Sequence, residues 1–216
     1  PKRILDTRDG TGPAPEFDGV VNTNDNETAN YRLTFNALWG PSTHNVPSNP
    51  HFSSLIGMAH DAAVQIWEPG ELASTGIERV AETGSTVILT QEINTLLSAG
   101  HPGQLLRGSG TGSPGTISFE FELTRDSPQL SVVTMVAPSP DWIVGVHGLN
   151  LLDATGSWEE FISVNLFAYD AGTEEGVEFT LSNQSTEPHL PISLITEEPF
   201  PSGTLPLATI EILRLD

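Results

Sequence analysis

The sequence predicts an all-β fold, an antiparallel two-sheet sandwich of about eight strands with one or two short helices. Apolar and polar residues alternate with period two over several stretches, which marks half-buried strands. Twenty glycines and 17 prolines punctuate the 216 residues, as suits many strands joined by turns. Strands do not alternate with long helices, so a parallel α/β sheet is not expected.

Residues 1–29 are expected to be a peripheral N-terminal segment. They are rich in Asp, Asn, Thr, Gly and Pro, and residues 10–29 read as a linker. Within them, Arg3-Ile4-Leu5-Asp6-Thr7-Arg8 is suited to docking as an edge strand. Residues 30–216 are expected to form one domain, since β-sandwiches of this length are commonly single.

The domain opens with a strand in which Tyr31, Leu33, Phe35, Ala37 and Trp39 alternate with Arg32, Thr34 and Asn36. A turn-rich stretch follows over 40–52, then an expected strand at 62–67. Residues 76–84 and 90–99 read as helices. For the second, Thr90 is the expected N-cap, Ile93, Leu96 and Leu97 form the apolar stripe, and Gly100 is the stop. Residues 106–115 read as a Gly/Ser-rich loop. Ile117, Phe119, Phe121 and Leu123 then alternate with polar residues, and 129–136 is apolar enough for burial on both faces. Further strands are expected at 142–146, 158–169, 177–181 and 207–215.

The formal net charge is −20, from 28 acidic and 8 basic residues. Duplex binding requires a basic patch, so nucleic acid is excluded as a partner. Anionic membranes should repel this surface, and no apolar run of about 18 residues exists to insert into one. The absence of cysteine excludes disulfides, thiolate metal sites and cysteine nucleophiles. The chain begins at Pro1 without an apolar signal region and reads as a mature or excised fragment.

Two acidic loops carry the candidate chemistry. One is Pro138-Ser139-Pro140-Asp141-Trp142, the other Tyr169-Asp170-Ala171-Gly172-Thr173-Glu174-Glu175-Gly176. Each sets carboxylates beside Pro or Gly at the end of a strand-like run. Carboxylates converging from such turns suit Ca2+, which takes six to eight oxygen ligands. Taken singly, each loop also fits an ordinary turn, where Asp is common.

Other chemistries fit less well. His44, His51 and His60 lack the tight spacing of catalytic zinc sites. No Gly-x-Ser-x-Gly elbow surrounds a serine. Glu120 and Glu122 alternate onto one solvated strand face, not across a cleft as a glycosidase pair would. Trp39, Trp67, Trp142 and Trp158 suit core packing as well as stacking on sugar.

The acidic loops resemble those of the spondin N-terminal domain, the module of F-spondin, mindin and microbial surface proteins. Pro138-Ser139-Pro140-Asp141-Trp142 with Val144-Gly145 is similar to that family's Pro-Ser-Pro-Asp-Trp segment. Asp170-Ala171-Gly172-Thr173 is similar to its Asp-Ala-Gly-Thr-Asp segment, in the same order. Leu33-Thr34-Phe35, the stretch from Phe52 to Gly57 with His60, and Val80-Ala81-Glu82-Thr83-Gly84-Ser85 support the likeness.

The resemblance implies a C2-like sandwich binding Ca2+ through Asp141, Asp170 and Glu174. It implies a secreted or cell-surface, non-catalytic module that attaches to an extracellular matrix or cell-surface ligand, glycans among the candidates. Glu174 stands where the family usually has Asp, so Glu175 competes for that role. The missing cysteines point to a microbial version. The alternatives are a carbohydrate-binding domain, a secreted polysaccharide-active enzyme, or a Ca2+-stiffened spacer in a larger surface protein.

Overall fold

The computed structural model describes residues 2–6, 27–201 and 203–216. In chain order the elements are β1 (Lys2–Asp6), β2 (Thr28–Ala37), β3 (His51–Phe52), β4 (Ile56–His60), α1 (Thr75–Thr83), α2 (Val87–Ser98) and β5 (Gly103–Arg107). They continue with β6 (Thr111–Gly112), β7 (Gly115–Thr124), β8 (Gln129–Ala137), β9 (Trp142–Asn150), β10 (Phe161–Leu166), β11 (Tyr169–Asp170), β12 (Ser193–Leu194) and β13 (Ala208–Arg214).

Two sheets face each other. The first runs β1-β10-β13-β2-β7. The second runs β12-β11-β9-β8-β3-β6, with β4 also paired to β8 and β5 to β4. Pairing is antiparallel except between β1 and β10, which is parallel. The expected sandwich is therefore present, with more and shorter strands than the sequence pattern suggested.

The period-two pattern explains the main core. On β2, Ala29, Tyr31, Leu33, Phe35 and Ala37 are all at most 2% exposed, while Arg32 turns outward to Glu120 of β7 at 2.7 Å. Across the interior they join Ile162 and Val164 of β10, Ile210 and Ile212 of β13, and Leu130, Val132, Val144 and Val146 of the facing sheet.

A second apolar cluster lies on the outer face of the larger sheet. Ile77, Val80 and Ala81 of α1, with Leu89 and Ile93 of α2, pack there with Met58, Val133 and Ile143. The helices thus bury the face that a two-layer sandwich would leave wet, and every residue of β8 is buried, as the run at 129–136 predicted. Helix α2 also helps to cap the start of α1. Ser74 Oγ accepts from Ile77 N at 3.2 Å and donates to Glu92 of α2 at 2.7 Å. Gly84, at φ +67°, closes α1 in the left-handed conformation.

Several local expectations change. Residues 62–67 form a loop, not a strand; its Val64, Ile66 and Trp67 satisfy their apolar character by packing beneath the helices. The strand at this place is β4. Helix α2 starts earlier than expected, with Thr86 as N-cap. Thr90 lies inside the helix and its hydroxyl donates back to the Thr86 carbonyl at 2.7 Å. The expected loop at 106–115 contains the end of β5 and all of β6. Residues 177–181 form no strand because no neighbouring strand pairs with them. Val177 and Leu181 are exposed, and Phe179 alone turns inward against Trp39 and Trp142. The expected edge strand over 3–8 is present as β1 as far as Asp6, and its last two residues lie outside the described residues. The expected linker at 10–29 lies, as far as residue 26, outside the described residues. Among the described residues no helix is long and apolar enough to cross a membrane.

Candidate functional site

Strand pairing brings the two acidic loops side by side. The first spans the turn from β8 to β9, where Ser139 Oγ accepts from Trp142 N at 3.1 Å. The second begins on β11, which pairs with β9 so that Asp170 sits opposite Trp142. Ala171 N extends this pairing by donating to the Asp141 carbonyl at 3.1 Å. The chain then turns at Gly172, at φ +75°. A Cβ there would lie 2.1 Å from the Leu190 carbonyl oxygen, so the close approach requires glycine.

Beyond this turn the backbone folds over Asp141. Asp141 Oδ2 accepts from Thr173 N at 2.7 Å, Glu174 N at 3.1 Å and Thr173 Oγ1 at 3.2 Å. Asp170 Oδ1 accepts from Gly172 N at 2.7 Å. Asp141 is 0% exposed, and its second oxygen, Oδ1, is buried without any hydrogen-bond partner. A buried carboxylate oxygen with no donor is costly.

Carboxylates dominate the electrostatics. Burial, then the charge of Asp141, pushes Asp170 up to about 6, with Glu175 adding to the effect. Burial also raises Asp141, against the hydrogen bonds from Thr173 and Glu174. Burial raises Glu174 too; the Asn183 hydrogen bond opposes this, while the charges of Glu82 and Asp141 add to it. Asp141 is therefore the shared neighbour of Asp170 on one side and of Glu174 and Glu82 on the other.

Of the three residues singled out from the sequence, Asp141 and Asp170 are brought together. Glu174 is beside them through its backbone, but its carboxylate accepts from Asn183 Nδ2 at 3.3 Å. Glu175 is exposed and acts on Asp170 through charge. As the side chains stand, no three His, Cys, Asp or Glu residues among those described are arranged to hold a metal ion.

Glu82, near the end of α1, was missed as a site residue. Burial raises its carboxyl above the usual range; the nearby Thr173 hydroxyl opposes this, while the charges of Glu78 and Asp141 add to it. That hydroxyl also faces Asp141, and its single proton serves one carboxylate at a time. Arg79 pairs with Glu82 at 3.0 Å. Glu82 belongs to one of the segments that carried the family resemblance, and that was the available signal.

The arrangement offers hard oxygen donors, surplus negative charge and one buried oxygen without a donor. That is the chemistry of a hard divalent cation, not of zinc. The histidines are engaged elsewhere. His44 bonds Thr43 and the Leu205 carbonyl, His51 the Asn49 carbonyl, and His60 the Asp61 carbonyl and Ser131. All four tryptophans are at most 4% exposed, and Glu120 and Glu122 lie on the exposed face of β7.

The Spondin_N family model matches residues 29–203. Spondin-1 from Gallus gallus is 34% identical over 186 residues, which cover 82% of this chain and 23% of that protein. Spondin-1 from Homo sapiens gives the same identity and coverage. Spondin-2 from Homo sapiens is 31% identical over 211 residues, covering 87% of this chain and 62% of that protein. The chain thus spans under a quarter of the spondin-1 relatives and under two thirds of spondin-2.

Proposed function

The chain belongs to the Spondin_N family, and on that premise we propose that it is a calcium-binding, non-catalytic module for extracellular adhesion or matrix attachment. The extracellular location expected from the sequence holds, since spondin-1 and spondin-2 are secreted proteins of the extracellular matrix.

The observation that carries the metal reading is the Asp141 carboxylate, wholly buried, with one oxygen held by three donors and the other by none. Asp141 and Asp170 would hold the ion. Glu174 would join them by giving up Asn183, and backbone carbonyls and water would complete six to eight oxygens. Bound Ca2+ supplies positive charge at the centre of this carboxylate cluster. The chain's own contribution is positioning. Gly172 permits the sharp turn, the Thr173 and Glu174 amides fix one Asp141 oxygen, and the β9–β11 pairing holds the loops in register. Ca2+ suits the site better than Mg2+, because ligands drawn from separate loops fit a larger and geometrically tolerant ion.

Adhesion is tested by binding of the purified domain to immobilised matrix and to a glycan array, in Ca2+ and in chelator. Calcium-dependent capture is expected. Stabilisation by Ca2+ without any capture would make the domain a spacer, and turnover of a polysaccharide would overturn the non-catalytic assignment.

A further inference from the structure

On the outer face of the larger sheet, two buried ring nitrogens have no hydrogen-bond partner: Trp67 Nε1 and His147 Nε2. Trp67 is 4% and His147 6% exposed, and their rings meet edge to face at 5.2 Å. Both line one cavity of about 110 Å3, together with Gln65, Glu68, Gln129 and Ser131. The cavity lies toward the opposite end of β8 from Asp141. Ser131 and Ala137 are six positions apart, about 20 Å of strand.

The backbone is shaped around this cavity. Leu130 pairs with Leu149 and Val132 with Val146, so β9 carries an extra residue at His147 and Gly148. Gly148 takes φ +53°, and a bulge of this kind re-aims the side chain it carries. Ser131 does not supply the missing bonds, since neither ring nitrogen has a hydrogen-bond partner within reach. Its oxygen accepts from Gly148 N at 2.9 Å. Its proton goes to His60 Nε2, because His60 Nδ1 must donate to the Asp61 carbonyl.

The lining selects among ligands. Trp67 Nε1 can only donate, which opposes a cation. Glu68 on the wall and a net charge of −20 oppose an anion. An apolar molecule would leave both nitrogens unpaired. Burial holds His147 below the usual imidazole range, against the charge of Glu68, so its ring is neutral near pH 7. The volume is somewhat below the roughly 150 Å3 that accommodates a benzene ring.

We propose that this cavity binds a neutral, hydroxyl-bearing group smaller than a benzene ring, presented either as a small polyol or as the hydroxymethyl arm of a glycan's terminal sugar, whose ring stays at the mouth. The site is separate from the acidic loops and does not depend on them. Its competing occupant is ordered water, which commonly meets buried polar groups of this kind.

The test is an NMR titration of the 15N-labelled domain in chelator, following the Trp67 indole signal among the four indoles, assigned through its proximity to the His147 ring. Glycerol, glucose, galactose and N-acetylglucosamine are the probes. A saturable shift of the Trp67 signal is expected with at least one of them, and binding should weaken at least about tenfold in His147→Phe, which keeps a ring against Trp67. Glycerol binding as tightly as the sugars would identify the polyol source, and sugar binding alone the glycan. No saturable shift up to about 100 mM in the wild type would leave water as the only occupant and overturn the proposal, whatever the variant does. So would equal affinity in a folded His147→Phe. The melting response to Ca2+ should be the same in His147→Phe and wild type, so this site and the metal reading fail separately.

Discussion

Two buried polar clusters sit toward opposite ends of β8, and they solve the same problem differently. Around His60, the histidine donates to Asp61, Ser131 donates to the histidine, and Gly148 donates to Ser131. Each bond has a donor and an acceptor, and burial favours the neutral ring. Around Asp141 the hydrogen bonds are as numerous, yet burial, with the charge of Asp141 adding to it, raises Asp170 and Glu174, and one buried oxygen is left over. The first cluster is complete as a piece of fold. The second leaves a buried carboxylate oxygen without a donor amid surplus negative charge, and that difference separates a structural network from a candidate site.

Removing the centre of the second cluster should have the largest effect. Asp141→Ala strands the Thr173 and Glu174 amides, at a cost of about 3 kcal/mol, or roughly 6–12 °C in melting temperature for a domain of this size. A scan in chelator checks this. A shift of a degree or less would mean that the loop does not depend on Asp141.

Calcium itself comes next. At about 100 times the dissociation constant it should stabilise the domain by about 2.7 kcal/mol, reversibly on chelation. The same addition should do nothing measurable in Asp141→Ala. Equal stabilisation of both proteins would move the metal away from these loops.

The pH response sharpens the contrast further. Asp170 titrates at about 6 in the fold and near 3.9 when unfolded. The folded state therefore binds more protons between these values. Its contribution to stability is full below about pH 4 and is lost as the pH rises through about 6. Allowing for partial exposure, this amounts to about 1–2 kcal/mol. It should appear as the difference between wild type and Asp170→Asn in chelator, melted from pH 4 to 7. Absence of any such difference would mean that neither burial nor the charge of Asp141 raises Asp170 in the fold.

The smallest effect belongs to the complete network. Ser131→Ala removes the donor to His60 and the acceptor of Gly148, for about 1 kcal/mol, and should leave the calcium response unchanged. Loss of that response would show that the two ends of β8 are not independent.

Much of this was legible in the sequence. Alternation on β2 and β7, and the double-sided run of β8, are local patterns that the sheets preserve. Asp141 and Asp170 stood out because Pro and Gly place them on turns. Glu82 did not, because a carboxylate on an amphipathic helix reads as a solvated face until α1 is packed against β8 and β9. Val177 and Leu181 misled in the other direction. Their alternation is strand-like, but a strand needs an edge to pair with, and only Phe179 finds a place in the core. The loop at 62–67 likewise buries alternate residues without a ladder. Periodicity reports burial, and the number of neighbouring strands decides whether burial becomes a sheet.

The central claim is that Asp141 and Asp170 jointly hold Ca2+. Isothermal calorimetry of Ca2+ binding, run on chelator-stripped wild type and Asp170→Asn, tests it most directly. The variant keeps the shape of the side chain and removes one charge, so its metal-free fold should melt at or slightly above the wild-type temperature. A single binding event is expected in the wild type and a much weaker one in the variant. Equal affinity in the two proteins, or no heat in either, would contradict the claim and leave these loops as ordinary turns.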